Sequence, residues 1–230
     1  MPALKLLCTV FACAVAAACV GAPRPVLKTG HTLAVLNVPT LREDGWQDVP
    51  LRGKTEYSVV QRGGRPAVMA VGRHTASGLA RRLDIDPVAC RTVRWSWRVD
   101  RIQTDVDLRR KEKEDVAASL FVVFGDPGFM MMPNPVPTLR YVWTTGHMKR
   151  GEIFPNPFRP DQIRTIVVEN RGDRLREWVS FERDLYADFI AAFGRPPAAH
   201  VQLLSIFTDN DQSKQPVETY YGPIEIDCGS

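Results

Sequence analysis

Residues 92–99 alternate without a break. Val93, Trp95, Trp97 and Val99 fall on one side, and Thr92, Arg94, Ser96 and Arg98 on the other. A period of two predicts a strand with one apolar and one polar face. Residues 116–124 are apolar almost throughout and predict a central strand buried on both faces. Residues 139–144, 162–169, 176–182, 200–208 and 218–226 continue the series. Stretches 55–61 and 67–71 flank Arg62-Gly63-Gly64-Arg65-Pro66, which reads as a hairpin with a Gly-Gly turn. One helix interrupts the strands near 184–193. Asp184 is placed to cap it, Leu185, Phe189 and Phe193 form a stripe four residues apart, and Gly194-Arg195-Pro196-Pro197 ends it. About nine short strands with one helix predict a mainly β fold, an antiparallel β-sandwich of jelly-roll type. A parallel α/β fold is excluded because helices do not alternate with the strands.

The first residues change the picture of the chain's fate. Lys5 precedes an apolar, alanine-rich run from residue 6 to 18. That run is shorter than the ~20 residues a spanning helix needs. A charged start, an apolar middle and small residues at the end describe a secretory signal. Ala16-Ala17-Ala18-Cys19 also resembles a bacterial lipobox, with Cys19 as the lipidated residue. The expected organisation is a signal segment over 1–18, an N-terminal extension with the first strand or strands over 19–54, and a sandwich domain over 55–227. The expected location is the periplasm, with the protein held to a membrane only through a lipid on Cys19.

Charge adds little. The formal net charge is +4 with 24% charged residues. Basic residues are spread along the chain, without the clustered stripe that nucleic-acid binding shows. Of five cysteines, Cys90 and Cys228 remain once the signal and Cys19 are set aside. In an oxidising compartment they are read as a disulfide that ties the last strand to an early one.

Several short motifs have a collective likeness. Ser77-Gly78-Leu79, Trp95-Ser96-Trp97-Arg98-Val99, Glu114-Asp115-Val116-Ala117-Ala118, Tyr141-Val142-Trp143, Arg183-Asp184 with Asp188, Phe193-Gly194 and Thr208-Asp209-Asn210-Asp211 follow one another in order. Over roughly residues 55–227 this series resembles a bacterial exported family, domain of unknown function 3047. The resemblance implies a galactose-binding-like sandwich of the sort used by carbohydrate-binding modules, and no known activity. The chain departs from the family pattern at Ser119, where an arginine is common, and at Gln212-Ser213, where Asn-Thr is commoner.

Candidate chemistry rests on charged residues at strand ends. Arg98, Asp115, Arg183, Asp188, Asp209 and Asp211 are the expected ligand-binding set, since arginine and carboxylate pairs hydrogen-bond sugar hydroxyls. Asp115, Arg183, Asp188 and Asp209 are expected to converge. Asp209-Asn210-Asp211 offers oxygens for Ca²⁺, but an Asx turn explains the same residues more simply, so no cofactor and no metal is assigned. Trp95 and Trp97 are read as core, leaving Trp46 and Trp178 as freer aromatics. The run Met130-Met131-Met132 is read as an apolar loop at a sheet edge. Four histidines stand apart without metal-ligand spacing, and no nucleophile elbow or phosphate loop occurs. The resulting expectation is a non-catalytic, exported module binding an envelope glycan or small molecule. The alternatives are a carbohydrate-active hydrolase or lyase using a pair such as Asp115 and Asp209, and a structural envelope protein.

Overall fold

In the computed structural model, which describes residues 30–129, 132–170 and 172–229, the alternating stretch 92–99 is part of a ten-residue strand. The chain forms β1 (His31–Leu36), β2 (Gln47–Arg52), β3 (Glu56–Arg62), β4 (Arg65–Gly72), β5 (Ala76–Ile85), β6 (Thr92–Arg101), β7 (Val116–Phe124) and β8 (Gly128–Phe129). It continues with β9 (Met132–Pro133), β10 (Thr138–Trp143), β11 (Ile153–Pro155), β12 (Ile163–Glu169), β13 (Val179–Asp184), helix α1 (Leu185–Phe193), β14 (Val201–Asp209) and β15 (Val217–Cys228). The signal segment, Cys19, Met130 and Met131 lie outside the described residues.

Two sheets face each other. The first runs β13-β6-β15-β4-β3, with β1 also paired to β15; the second runs β11-β12-β10-β7-β14-β5-β2. Successive strands cross repeatedly from one sheet to the other, which makes a jelly-roll-like sandwich. Within both sheets all pairs are antiparallel except β10 with β12. The sandwich includes strands before residue 55, because β1 pairs with β15 and β2 with β5.

The alternation along β6 places Val93, Trp95, Trp97 and Val99 in the core. Trp95 stacks on Phe181 at 5.3 Å and meets Tyr141 of the opposite sheet at 5.1 Å. Trp46 is buried as well, its Nε1 donating to the Val35 carbonyl at 3.1 Å, so it offers no exposed face. The β3–β4 hairpin turns at Gly63 and Gly64, both with positive φ (59° and 75°), as a two-residue turn of this kind requires. Asp184 caps α1 by accepting from the Ala187 amide at 2.9 Å, and Gly194 closes it with a left-handed φ of 70°. The helix covers the far end of β7, where Phe189 lies 4.6 Å from Phe124. A disulfide joins Cys90, just before β6, to Cys228 at the end of β15.

The second sheet has a more varied outer face than its apolar strands suggest. At one end the loops before β7 and around β11 cover it, burying Leu108, Val116, Val142, Met148, Phe154 and Val167 as a separate apolar cluster. The other end is left open among the described residues.

Candidate functional site

The open end is a groove across β2, β5, β14, β7 and β10, with a volume of about 670 Å³. Strand register explains its floor. Gln47, Ala80, Ser205 and Phe121 lie side by side in one cross-strand row, and Val49, Gly78 and Phe207 in the next. Small side chains at Ala80 and Ser205 form the trough, and the larger residues stand around it. Gly78 is required here, because a Cβ would come within 2.8 Å of Phe207 Cδ2 and 2.5 Å of the Ile206 carbonyl oxygen. Glycine inside a strand thus marks a close approach. The half-buried rings of Phe121 and Phe207 meet edge to face at 5.8 Å. The Arg140 guanidinium lies 5.1 Å over the Phe121 ring.

Polar groups line the rim. Arg82 donates to Asp126 at 3.0 Å and to the Gly128 carbonyl at 2.7 Å, while Asn134 Nδ2 donates to the Asp126 carbonyl at 3.1 Å. These bonds fasten the loop after β7 along one wall. Arg159 and Gln162 line the far side, and Gln47 and Asp48 the near side. Asp48 is the only carboxylate among the described lining residues, and it is held by Arg42 at 3.2 Å and Lys54 at 3.7 Å.

Beside the groove, on the same face of the sheet, is a buried polar network. Arg140 Nη1 pairs with Glu114, Arg140 Nε donates to Ser119 Oγ at 3.2 Å, and Asn156 Nδ2 donates to Glu114 at 3.0 Å. Burial raises the Glu114 pKa against the opposing pull of Arg140. Beside it, Asp115, Asp209 and Asp211 bring one oxygen each within 4.8 Å of one another, all buried. Asp115 accepts from the amides of Gln212 at 3.0 Å and Ser213 at 2.5 Å. Asp209 accepts from the Asp211 amide at 3.2 Å, the local turn expected at that site. Burial, then the charges of Glu114, Asp115 and Asp211, holds the Asp209 carboxyl well above the usual range.

The expected ligand set divides among three places. Asp115, Asp209 and Asp211 converge, as just described. Arg183 instead holds Asp188 through Nε at 2.8 Å and through Nη2, and Tyr141 donates to the same carboxylate at 2.9 Å. This clip lies by α1, at the Phe124 end of β7, whereas Asp115 and Asp209 flank Val116 at its other end. Among the described residues no hydrogen bond or ion pair joins Asp115 or Asp209 to Arg183 or Asp188. Arg98 lies on the outer face of the opposite sheet, bound to Asp100 at 2.6 Å beside Arg62. Arg140 is on β10 of the second sheet and so does not neighbour Arg94 and Arg98 on β6. None of the six lines the groove. Phe121 and Phe207, which do, sit on the outward positions of strands whose apolar runs suggest burial on both sides. Gly78 was the available signal.

Residues 44–225 match the family model described as "Protein of unknown function (DUF3047)". The chain belongs to the DUF3047 family. Within this DUF3047 chain, the match begins before β2 and ends within β15, so it spans both sheets and the whole groove. No curated protein matches the sequence. Among solved structures, a mutant of the family 29 carbohydrate-binding module CBM29-2 is similar at 8% identity and a TM-score of 0.40, over 87% of this chain and 93% of that one. The family 30 carbohydrate-binding module of a cellulosomal cellulase from Clostridium thermocellum is similar at 11% identity and a TM-score of 0.41, over 85% and 96%. The xyloglucanase domain of NopAA from Sinorhizobium fredii, in complex with cellobiose, is similar at 7% identity and a TM-score of 0.41, over 79% and 95%. At these values the likenesses assign no ligand to the DUF3047 chain.

Proposed function

We propose that this protein is a non-catalytic module that binds a glycan chain in the groove on its second sheet. The observation that carries the reading is the groove itself: two phenylalanine rings on a floor of small residues, rimmed by arginine and amide side chains. Apolar faces of a sugar ring pack on aromatic rings, and its hydroxyls take hydrogen bonds from fixed polar groups around them. Hydrolysis of a glycosidic bond uses two carboxyl groups flanking the bond. Among the described residues the groove lining contributes one carboxylate, Asp48, already paired. Asp115 and Asp209 are buried and engaged by backbone amides, with no room for a sugar between them.

Immobilised soluble glycans in native gels, together with a glycan array, test this. Wild-type protein is expected to be retarded or captured. Phe121→Ala and Phe207→Ala are each expected to weaken binding by about tenfold, the equivalent of ~1.4 kcal/mol for one stacking ring. Arg94→Ala, on the opposite sheet, serves as the control and keeps binding intact. Loss of no affinity in either phenylalanine variant, with the fold intact by thermal melt, defeats the groove as the site.

The same reading puts the module in the cell envelope, exported and anchored through lipid on Cys19. The signal-like start and the Cys90–Cys228 disulfide support it, since structural disulfides belong to oxidising compartments. Intact mass of membrane-extracted protein decides the anchor. A mature chain beginning at Cys19 with added acyl mass is expected, and a chain without that mass rules it out.

A further inference from the structure

The acidic trio beside the groove has a use that glycan binding does not require. Asp115 immediately precedes β7, and Asp209 ends β14 opposite Val116, so strand pairing brings them together. Asp211 follows in the next turn. Their oxygens lie within 4.8 Å of one another. Two oxygens bound to one Ca²⁺ at 2.3–2.6 Å lie up to about 5 Å apart.

A second observation points to a missing partner. Asp211 is only 8% exposed, and its Oδ1 is buried with no hydrogen bond, while Arg52 occupies Oδ2 at 3.0 Å. An unpaired buried carboxylate oxygen is costly and calls for a ligand. Gln212 Oε1, on the residue whose amide binds Asp115, is also buried without a partner. Asn210 takes no part: its side chain is used by Thr75, Gly72 and Gln215. Fully ionised, Glu114, Asp115, Asp209 and Asp211 would carry two more charges than Arg140 and Arg52 return, an excess that a divalent cation would match.

We propose that Asp115, Asp209 and Asp211 form a binding site for a hard divalent cation, Ca²⁺ in the first instance. Three carboxylates supply part of the six to eight oxygens the ion takes, and water supplies the rest. The ion pins the start of β7 and the end of β14 to the turn that follows, at the edge of the polar network beside Phe121. The site stands independently of what the groove binds.

Chelator-treated protein is titrated with CaCl₂ by calorimetry and by thermal melting. Saturable binding is expected, with Tm rising by roughly 5–10 °C at a Ca²⁺ concentration a hundredfold above Kd. Asp211→Asn and Asp209→Asn are expected to weaken Ca²⁺ binding by more than tenfold while remaining folded. Glycan binding by these variants is read separately, so failure of the groove and failure of the cation site are distinguishable. Absence of saturable Ca²⁺ binding overturns the proposal. So does an undiminished Ca²⁺ response in both variants, or a response to Mg²⁺ without one to Ca²⁺. A cluster closed by a shared proton instead reveals itself as Ca²⁺-independent stability that Asp209→Asn leaves equal or higher.

Discussion

Removing the Cys90–Cys228 bridge is expected to destabilise the protein by an amount set by the unfolded chain. The two cysteines are 138 residues apart in sequence. Closing a loop of that length in the denatured ensemble corresponds to about 5 kcal/mol at 25 °C on the chain-entropy expression. Strand pairing does not diminish this figure, although Asp227 already pairs with Thr92 and the Gly229 amide bonds the Ala89 carbonyl at 2.8 Å. Those contacts exist only in the folded state, and the bridge acts on the other one. Both cysteines are buried, so truncation to alanine adds a packing loss of about 1 kcal/mol each. Urea unfolding followed by tryptophan fluorescence measures the outcome. With an m-value of about 2.5 kcal/mol/M, the midpoint is expected to fall by about 2.5 M. The m-value itself should rise, because the unbridged denatured chain exposes more surface. Cys90→Ala, Cys228→Ala and the double variant should lie close together, since either change alone removes the bond. Strict additivity of the two single variants, or a double variant within about 1 kcal/mol of wild type, would refute the argument.

Other consequences follow from the buried charges. Arg183→Ala leaves the Asp188 carboxylate buried with only Tyr141 as partner, and a loss of about 2–3 kcal/mol in chemical unfolding is expected, less than for a fully buried pair because the arginine side chain is 36% exposed. Glycan affinity should be unchanged in that variant, since Arg183 is not in the groove. Glu114→Gln strands Arg140, whose side chain is 2% exposed, and should cost about 3–5 kcal/mol; Glu114→Leu with Arg140→Met together should cost less than Glu114→Gln alone. Asp100 is pushed up by burial, but Arg98 and then Arg62 outweigh that and leave its pKa lowered. Its contribution is therefore present above the ordinary aspartate pKa near 3.8 and is lost as pH falls through the depressed value. Asp100→Asn should lower stability at neutral pH and flatten the acid limb below pH ~4; an unchanged limb in urea titrations across pH would remove Asp100 from the balance.

What the amino-acid sequence determines by itself is local. The alternation at 92–99 decides which face of β6 meets the core, because a period of two has only one solution when one side is apolar. Asp184 and Gly194 mark the ends of α1 for equally local reasons, a capped amide and a left-handed turn. The Gly-Gly hairpin is of the same kind. β5 is the instructive failure: Gly78, Arg81 and Arg82 interrupt its apolar pattern, yet it lies between β14 and β2 in the second sheet. Its glycine serves Phe207, a residue 129 positions away. The candidate sites depend on such distant pairings. Charges at strand ends look equivalent along the chain, but register sends Asp115 to Asp209, helix geometry sends Arg183 to Asp188, and the sheet assignment leaves Arg98 on the opposite face. Whether an apolar strand position faces a neighbouring loop or open solvent depends on what covers it. At Val116 and Val142 loops do, and at Phe121 and Phe207 none does among the described residues. That covering is a property of the assembled sandwich, and it is what makes one end of the second sheet a core and the other a groove.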